Sequence, residues 1–219
     1  MDFETFLLVS NYVGTIAFAV SGVVKGFKKK LDIFGITLLA IVTAVGGGMI
    51  RDSLVGRIPA ALVEPSPIYL SIAVSLIMYV VVSNAKSEHP LDRKFYLYLA
   101  RINLLFDAIG LVIFALLGAS TGIEANLNPM ATGILASLTG VGGGIIRDLL
   151  VNETPSVLKE DVYALLAFFT GLSYHLLVVE LGFSRIPTFS CLFLIFFILR
   201  LLIIKYQINL PNMESSKKP

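Results

Sequence analysis

The chain has 219 residues, of which 56% are hydrophobic and only 15% charged, with a mean hydropathy of +0.86 and a net charge of +2. Soluble chains are roughly a quarter charged, so a water-soluble globule of this composition could not cover itself with polar surface. A soluble enzyme, a disordered chain and a nucleic-acid binder are excluded, and the lone Cys191 rules out a disulfide framework or a cysteine-built metal site.

In chain order, seven apolar runs are each long enough to cross a bilayer, which takes about 20 helical residues. They lie near 6–24, 32–56, 67–83, 97–118, 129–150, 162–180 and 187–205. The runs are continuously apolar instead of alternating, so a transmembrane barrel is excluded. The first follows Asp2 and Glu4 instead of basic residues and is expected to stay as a membrane helix, not to be cleaved as a signal peptide. The expected fold is all-α and polytopic.

With the N-terminus outside, only Arg51, Arg57 and Arg185 of the 17 Lys and Arg residues fall on the outer side. Cytoplasmic loops hold the excess of basic residues, which predicts an outer N-terminus and a cytoplasmic C-terminus in the cell's inner (plasma) membrane. The remaining basic residues read as topology signals, not ligand sites.

Displaced by 96 residues, the chain repeats itself: Thr43-Ala-Val-Gly-Gly-Gly-Met-Ile-Arg-Asp-Ser-Leu-Val55 aligns with Thr139-Gly-Val-Gly-Gly-Gly-Ile-Ile-Arg-Asp-Leu-Leu-Val151. Without a gap, Gly14, Phe18, Ala19 and Gly22 meet Gly110, Phe114, Ala115 and Gly118. The organisation read from this is a three-helix unit (1–83), a cytoplasmic linker (84–96), a second three-helix unit (97–180), a seventh helix (181–208) and a disordered tail (209–219). Three spans per unit is odd, so the second copy enters the membrane from the other side. Such inverted repeats are a common transporter design, with the solute path at the repeat interface.

Gly46, Gly47 and Gly48 lie just past the middle of the second run, and Gly142, Gly143 and Gly144 do the same in the fifth. Three helix-interior glycines cost about 1 kcal/mol each relative to alanine. They therefore predict a kink or unwound turn that turns backbone toward a solute, with close packing beside it. Arg51-Asp52 and Arg147-Asp148 follow about 5–7 Å further along the helix. An unpaired charge at such depth costs about 2.5 kcal/mol or more. Sequence neighbours do not face each other on a helix, so partners on other helices are expected. The two readings are an interhelical salt bridge and a charged ring at each mouth of an aqueous path, Arg51 outer and Arg147 inner.

Asn11 and Asp107 occupy the same repeat position and are candidate pore polar groups that could coordinate a cation or cap a broken helix; Asn103 shares a face with Asp107. His175 reads as a packing residue. No enzyme constellation is present: GVGGGIIRD has Arg-Asp where a phosphate-cradling loop needs Gly-Lys-Ser/Thr. No catalytic residue, metal site or cofactor is expected.

Seven spans, two inverted three-helix repeats and the doubled GGG-x-x-R-D, with Phe18-Ala-Val-Ser-Gly22 ahead of Asp32-x-Phe-Gly35, resemble the prokaryotic branch of the trimeric intracellular cation (TRIC) channel family. The resemblance implies a homotrimer with an hourglass pore in each protomer, narrowed where bent spans 2 and 5 meet, and permeation of potassium or sodium. It carries both triglycines as hinges and Arg51, Asp52, Arg147 and Asp148 as pore charges. The same bacterial family has been linked to glycine uptake. A small-solute carrier using the same pathway is therefore the alternative.

Overall fold

The computed structural model describes residues 2–88, 93–158 and 161–208. The helices are α1 (Phe3–Lys28), α2 (Ile33–Leu54), the one-turn α3 (Ala60–Val63), α4 (Ser66–Glu88), α5 (Arg93–Glu124), α6 (Pro129–Leu150), α7 (Asp161–His175), which ends in a π-helical turn (Leu176–Glu180), and α8 (Arg185–Tyr206). Seven of them are long and apolar enough to cross a membrane. The described residues contain no strand. Helix occupies both flanks of the expected 84–96 linker; its centre and the tail at 209–219 lie outside the described residues.

The repeat in the sequence is a repeat in local structure. Asp32 caps α2 by accepting the Gly35 N–H at 2.7 Å, and Asn128, 96 residues later, caps α6 by accepting the Ala131 N–H at 2.9 Å. Such a cap is worth about 1 kcal/mol. Left-handed residues recur at the same offset: Lys30 (φ 56°) with Asn126 (φ 54°), and Gly56 (φ 71°) with Asn152 (φ 54°). Turn chemistry thus fixes the same helix boundaries twice.

Two crossings hold the halves together, and both are reciprocal. Gly47 of α2 rests on the Thr139 carbonyl of α6, while Gly143 of α6 rests on the Thr43 carbonyl of α2. Those contacts run antiparallel and exchange under the 96-residue offset, as an approximate two-fold axis in the membrane plane requires. On the same axis Phe18 of α1 stacks on its counterpart Phe114 of α5, ring centroids 5.1 Å apart, and each ring packs over the other half's glycine, Phe18 over Gly110 and Phe114 over Gly14. Lipid gives helices no hydrophobic reason to associate, so close backbone approach through small residues drives the packing.

α1 and α5 form the buried centre, with Ala19, Val23, Leu111, Val112, Ala115 and Leu116 sealed from the surface. α8 has no repeat mate. It packs on α5 and α7 and turns Leu194, Ile195 and Ile198 outward.

Candidate functional site

Both triglycines lie within uninterrupted helix, which corrects the expectation of an unwound turn. Each glycine has a separate task. A methyl at Gly47 or Gly143 would run into a backbone carbonyl of the opposite helix, and one at Gly46 or Gly142 would press on Ile146 or Ile50. Gly48 and Gly144 face away from the crossing: a Cβ there would come no closer than 3.7 Å to the Arg51 Nη2 and 3.6 Å to the Arg147 Nη2. The first two glycines let the helices touch. The third lies under the arginine one turn later. Three in succession follow from serving two sides at once.

The triglycine crossing separates two mouths. One lies at the face where the chain begins, at the ends of α2 and α5; the other lies opposite, at the ends of α1 and α6. At the opposite face Arg147 is 3% exposed and bound through both Nε and Nη1. Its Nε donates to Asp148 Oδ1 at 3.0 Å, and its Nη1 donates to Asp107 Oδ1 at 3.0 Å and to Ser21 Oγ at 2.7 Å. The Tyr163 hydroxyl donates to Asp107 Oδ2 at 2.8 Å, and its ring carries the Arg200 guanidinium at 4.6 Å. Asp148 Oδ2 accepts the Ser156 N–H at 3.0 Å. Lys25 Nζ bridges Asp148 Oδ1 at 3.2 Å and Glu153 Oε2 at 2.6 Å, and Lys29 binds Glu153 Oε1 at 2.7 Å. These hydrogen bonds from Lys25 and then Lys29 hold the Glu153 carboxyl down at about 2. Every carboxylate of this cluster is shared by at least two donors. Among the described residues this cluster fills the mouth.

At the N-terminal face the same parts leave a cavity of about 330 Å³. Thr15, Phe114 and Gly48 line its inner end, Asn11, Ser120 and Thr121 its wall, and Arg51, Asp52, Glu64 and Glu124 its rim. Arg51 Nε and Nη2 both lie 2.7 Å from Asp52 Oδ1, and Asp52 Oδ2 accepts the Ala60 N–H at 2.8 Å. Arg57 reaches Glu124 at 3.4 Å, with both side chains largely exposed.

Aligning the mouths by the repeat explains why one is open. Asp107, which draws Arg147 inward, is replaced by neutral Asn11, and Ser21, its second acceptor, by Leu117. Tyr163 is replaced by Pro67, and Lys25 by Thr121. Arg51 therefore has no inward acceptor and stays on the adjacent carboxylate. The rim charges are exchanged by the repeat: Arg57 and Glu124 stand where Glu153 and Lys28 stand in the other half, where Glu153 binds Lys25 and Lys29 instead.

Comparison with known proteins bears on what this pair of mouths belongs to. The sequence family described as "Glycine transporter" matches residues 8–85 and 104–178, segments whose starts are one repeat apart. The UPF0126 inner membrane protein YadS of Escherichia coli is 32% identical over 207 residues, 92% of this chain and 93% of YadS. A crystal structure of a prokaryotic TRIC channel in 0.5 M KCl is similar at 37% identity and TM-score 0.84, over 95% of this chain and 100% of that one. The chain belongs to the prokaryotic TRIC family. A structure described as showing the basis for conductance through TRIC cation channels is similar at 32% identity and TM-score 0.80, over 97% of each chain.

In this TRIC-family chain the structure gathers Asn11, Gly48, Arg51 and Asp52 at one mouth and Asp107, Gly144, Arg147 and Asp148 at the other, with Gly46, Gly47, Gly142 and Gly143 at the crossing. Arg147 forms an interhelical salt bridge with Asp107, and Arg51 lines the cavity at the other mouth. In both mouths, however, the arginine also binds the adjacent aspartate, contrary to the expectation from helix geometry. The long side chain folds back at the helix end, and the N–H of Ala60 or Ser156 holds the carboxylate in place. His175 is buried and lies 3.0 Å from the Thr132 hydroxyl.

Sequence reasoning missed Ser21, Lys25, Tyr163 and Arg200. Arg200 was counted among the topology signals, yet it is 2% exposed. Its position inside the seventh apolar run was the available signal, since a charge within a span is a functional candidate by default.

Proposed function

We propose that the protein is a passive channel for monovalent cations, chiefly potassium, working as a homotrimer with one pore in each protomer. The N-terminal mouth faces outward from the inner membrane and the filled mouth faces the cytoplasm. The observation that carries the reading is the pair of like mouths on one two-fold scaffold: one is a cavity rimmed by Asp52, Glu64 and Glu124, and the other is filled by Arg147, Tyr163 and Lys25. Near-full-length similarity to TRIC cation channels supports it. Arg51 does not repel a cation outright, because Asp52 neutralises it in place. Gating breaks the Arg147 cluster and moves α2 and α6 about their glycine crossing, with Gly46–Gly48 and Gly142–Gly144 as the hinge.

A carrier for a small zwitterion such as glycine is the second reading, favoured by the family description and by a guanidinium at the cavity wall that could receive a carboxylate. Planar-bilayer recording in opposed potassium and sodium gradients tests both. Unitary currents reversing near the potassium potential support the channel. Saturable, electrically silent glycine exchange without such currents overturns it.

A further inference from the structure

We propose that the cavity at the N-terminal face holds one partly dehydrated monovalent cation at a defined seat between Asp52 and Thr121, in the place that the Lys25 ammonium takes at the other mouth. The inference deepens the channel reading and rests on it for the purpose of the seat, though not for its chemistry.

The chain itself shows what this cradle accepts. In the filled mouth the Lys25 ammonium lies 2.6 Å from Glu153 Oε2 and 3.2 Å from Asp148 Oδ1, the oxygen that also receives the Arg147 guanidinium. In the open mouth Asp52 Oδ1 receives Arg51 in the same manner. Arg57 stands there in the place of Glu153 but is drawn to Glu124 at 3.4 Å, which leaves Asp52 as the shared feature. The position of Lys25 is taken by Thr121, which ends in a hydroxyl in place of an ammonium. A primary ammonium and a potassium ion are nearly equal in size and charge, so the mouth without a tethered ammonium suits a free cation of that class.

The wall provides ligands of the right kind. Thr121 Oγ1 donates to the Leu117 carbonyl at 3.1 Å and Ser120 Oγ to the Leu116 carbonyl at 3.0 Å. With their protons directed to the backbone, both hydroxyls offer only lone pairs. Thr15 lines the same cavity, is 1% exposed, and its hydroxyl has no hydrogen-bond partner among the described residues. A buried polar group without a partner is costly, and water from the shell of a cation seated in the cavity would remove that cost. Asp52, Glu64 and Glu124 against Arg51 and the Arg57 that pairs with Glu124 leave this mouth with a single negative charge. The cation is monovalent because the ligands are mostly neutral oxygens and a fixed guanidinium stands beside them.

The test is anomalous diffraction from crystals of the full chain grown with thallium(I), a potassium surrogate. The expected result is a peak beside Asp52 and Thr121 in the wild type. Thr121→Lys should abolish it, placing the new ammonium on Asp52. Lys25→Thr should create a second peak beside Asp148. A wild type without the peak, or a peak that persists in Thr121→Lys, overturns the seat. Should Thr121→Lys not fold, Thr121→Val keeps the test in solution. The wild type should gain thermal stability saturably as potassium replaces choline at constant ionic strength, and the valine variant should need about tenfold more potassium; equal responses overturn the proposal. Potassium currents without the seat would remove the seat and leave the channel. The seat with only silent glycine exchange would remove the channel and leave the seat.

Discussion

The two mouths share a backbone plan and differ in state. Each has a triglycine, an Arg-Asp pair, a capping N–H eight residues past the aspartate and a left-handed turn between them. One encloses a cavity; the other encloses Arg147. The difference lies in the exchange of Asn11 for Asp107, Leu117 for Ser21, Pro67 for Tyr163 and Thr121 for Lys25. Closure is therefore written in side chains on a scaffold that fits either state, and the charges that close one mouth are stable there only because each has several partners. Removing one partner from a buried pair costs about 3–5 kcal/mol.

The largest loss is expected at the helix crossing. Gly47→Ala and Gly143→Ala should each cost at least about 3 kcal/mol, the upper end for overpacking, because a backbone carbonyl cannot step aside. Gly48→Ala has room at 3.7 Å from Arg51 and should melt like the wild type. Thermal unfolding in detergent checks the contrast; equal losses at Gly47 and Gly48 would show that the crossing is not backbone on backbone. Next in size is Asp107→Asn, which gives the filled mouth the residue of the open one. It removes the buried charge opposite Arg147 and leaves one acceptor oxygen where Arg147 and Tyr163 now have two, so unfolding should be easier by about 3 kcal/mol. Ion flux into liposomes should rise severalfold. A destabilised variant with unchanged flux would leave the Arg147 cluster as structure only.

The doubled motif made the repeat, its inversion and the glycine crossing legible, because backbone proximity needs residues that stand out by lacking a side chain. The asymmetry was harder to read. Asn11 and Asp107 were recognised as counterparts, but Lys25 sits at a helix end where basic residues serve as topology signals, and Tyr163 resembles an interfacial anchor. Their convergence on Arg147 depends on how α1, α5, α6 and α7 pack, which no local pattern encodes. Glycine propensity points to a kink or an unwound turn with close packing beside it; the helix runs on through both triplets because the carbonyl contacts of the crossing hold them.

Acid should have a smaller effect. The Glu153 carboxyl, ordinarily near 4.5, is held at about 2 by Lys25 and Lys29. A folded-state value below the unfolded one means that the latch contributes fully above about pH 4.5 and is lost only as pH falls through about 2. Flux through the wild type should therefore change little from this cause between about pH 8 and pH 5. Glu153→Gln, which imposes the loss at neutral pH, should raise it. A wild-type rise near pH 6 would assign the latch to another group.

The smallest effect belongs to the pair on the open side. Arg57 and Glu124 meet at 3.4 Å with about half of each side chain exposed, and such pairs contribute at most a few tenths of a kcal/mol. Glu124→Gln should leave the melting temperature unchanged, unlike Glu153→Gln at the conjugate latch. Because Glu124 also rims the cavity, its loss should lower single-channel conductance in about 10 mM salt, where the Debye length is roughly 30 Å. The difference should vanish near 1 M, where screening reaches about 3 Å. A glutamine variant that melts early would make the two rim pairs equivalent in strength, and the open mouth would then owe its state to something other than a looser latch.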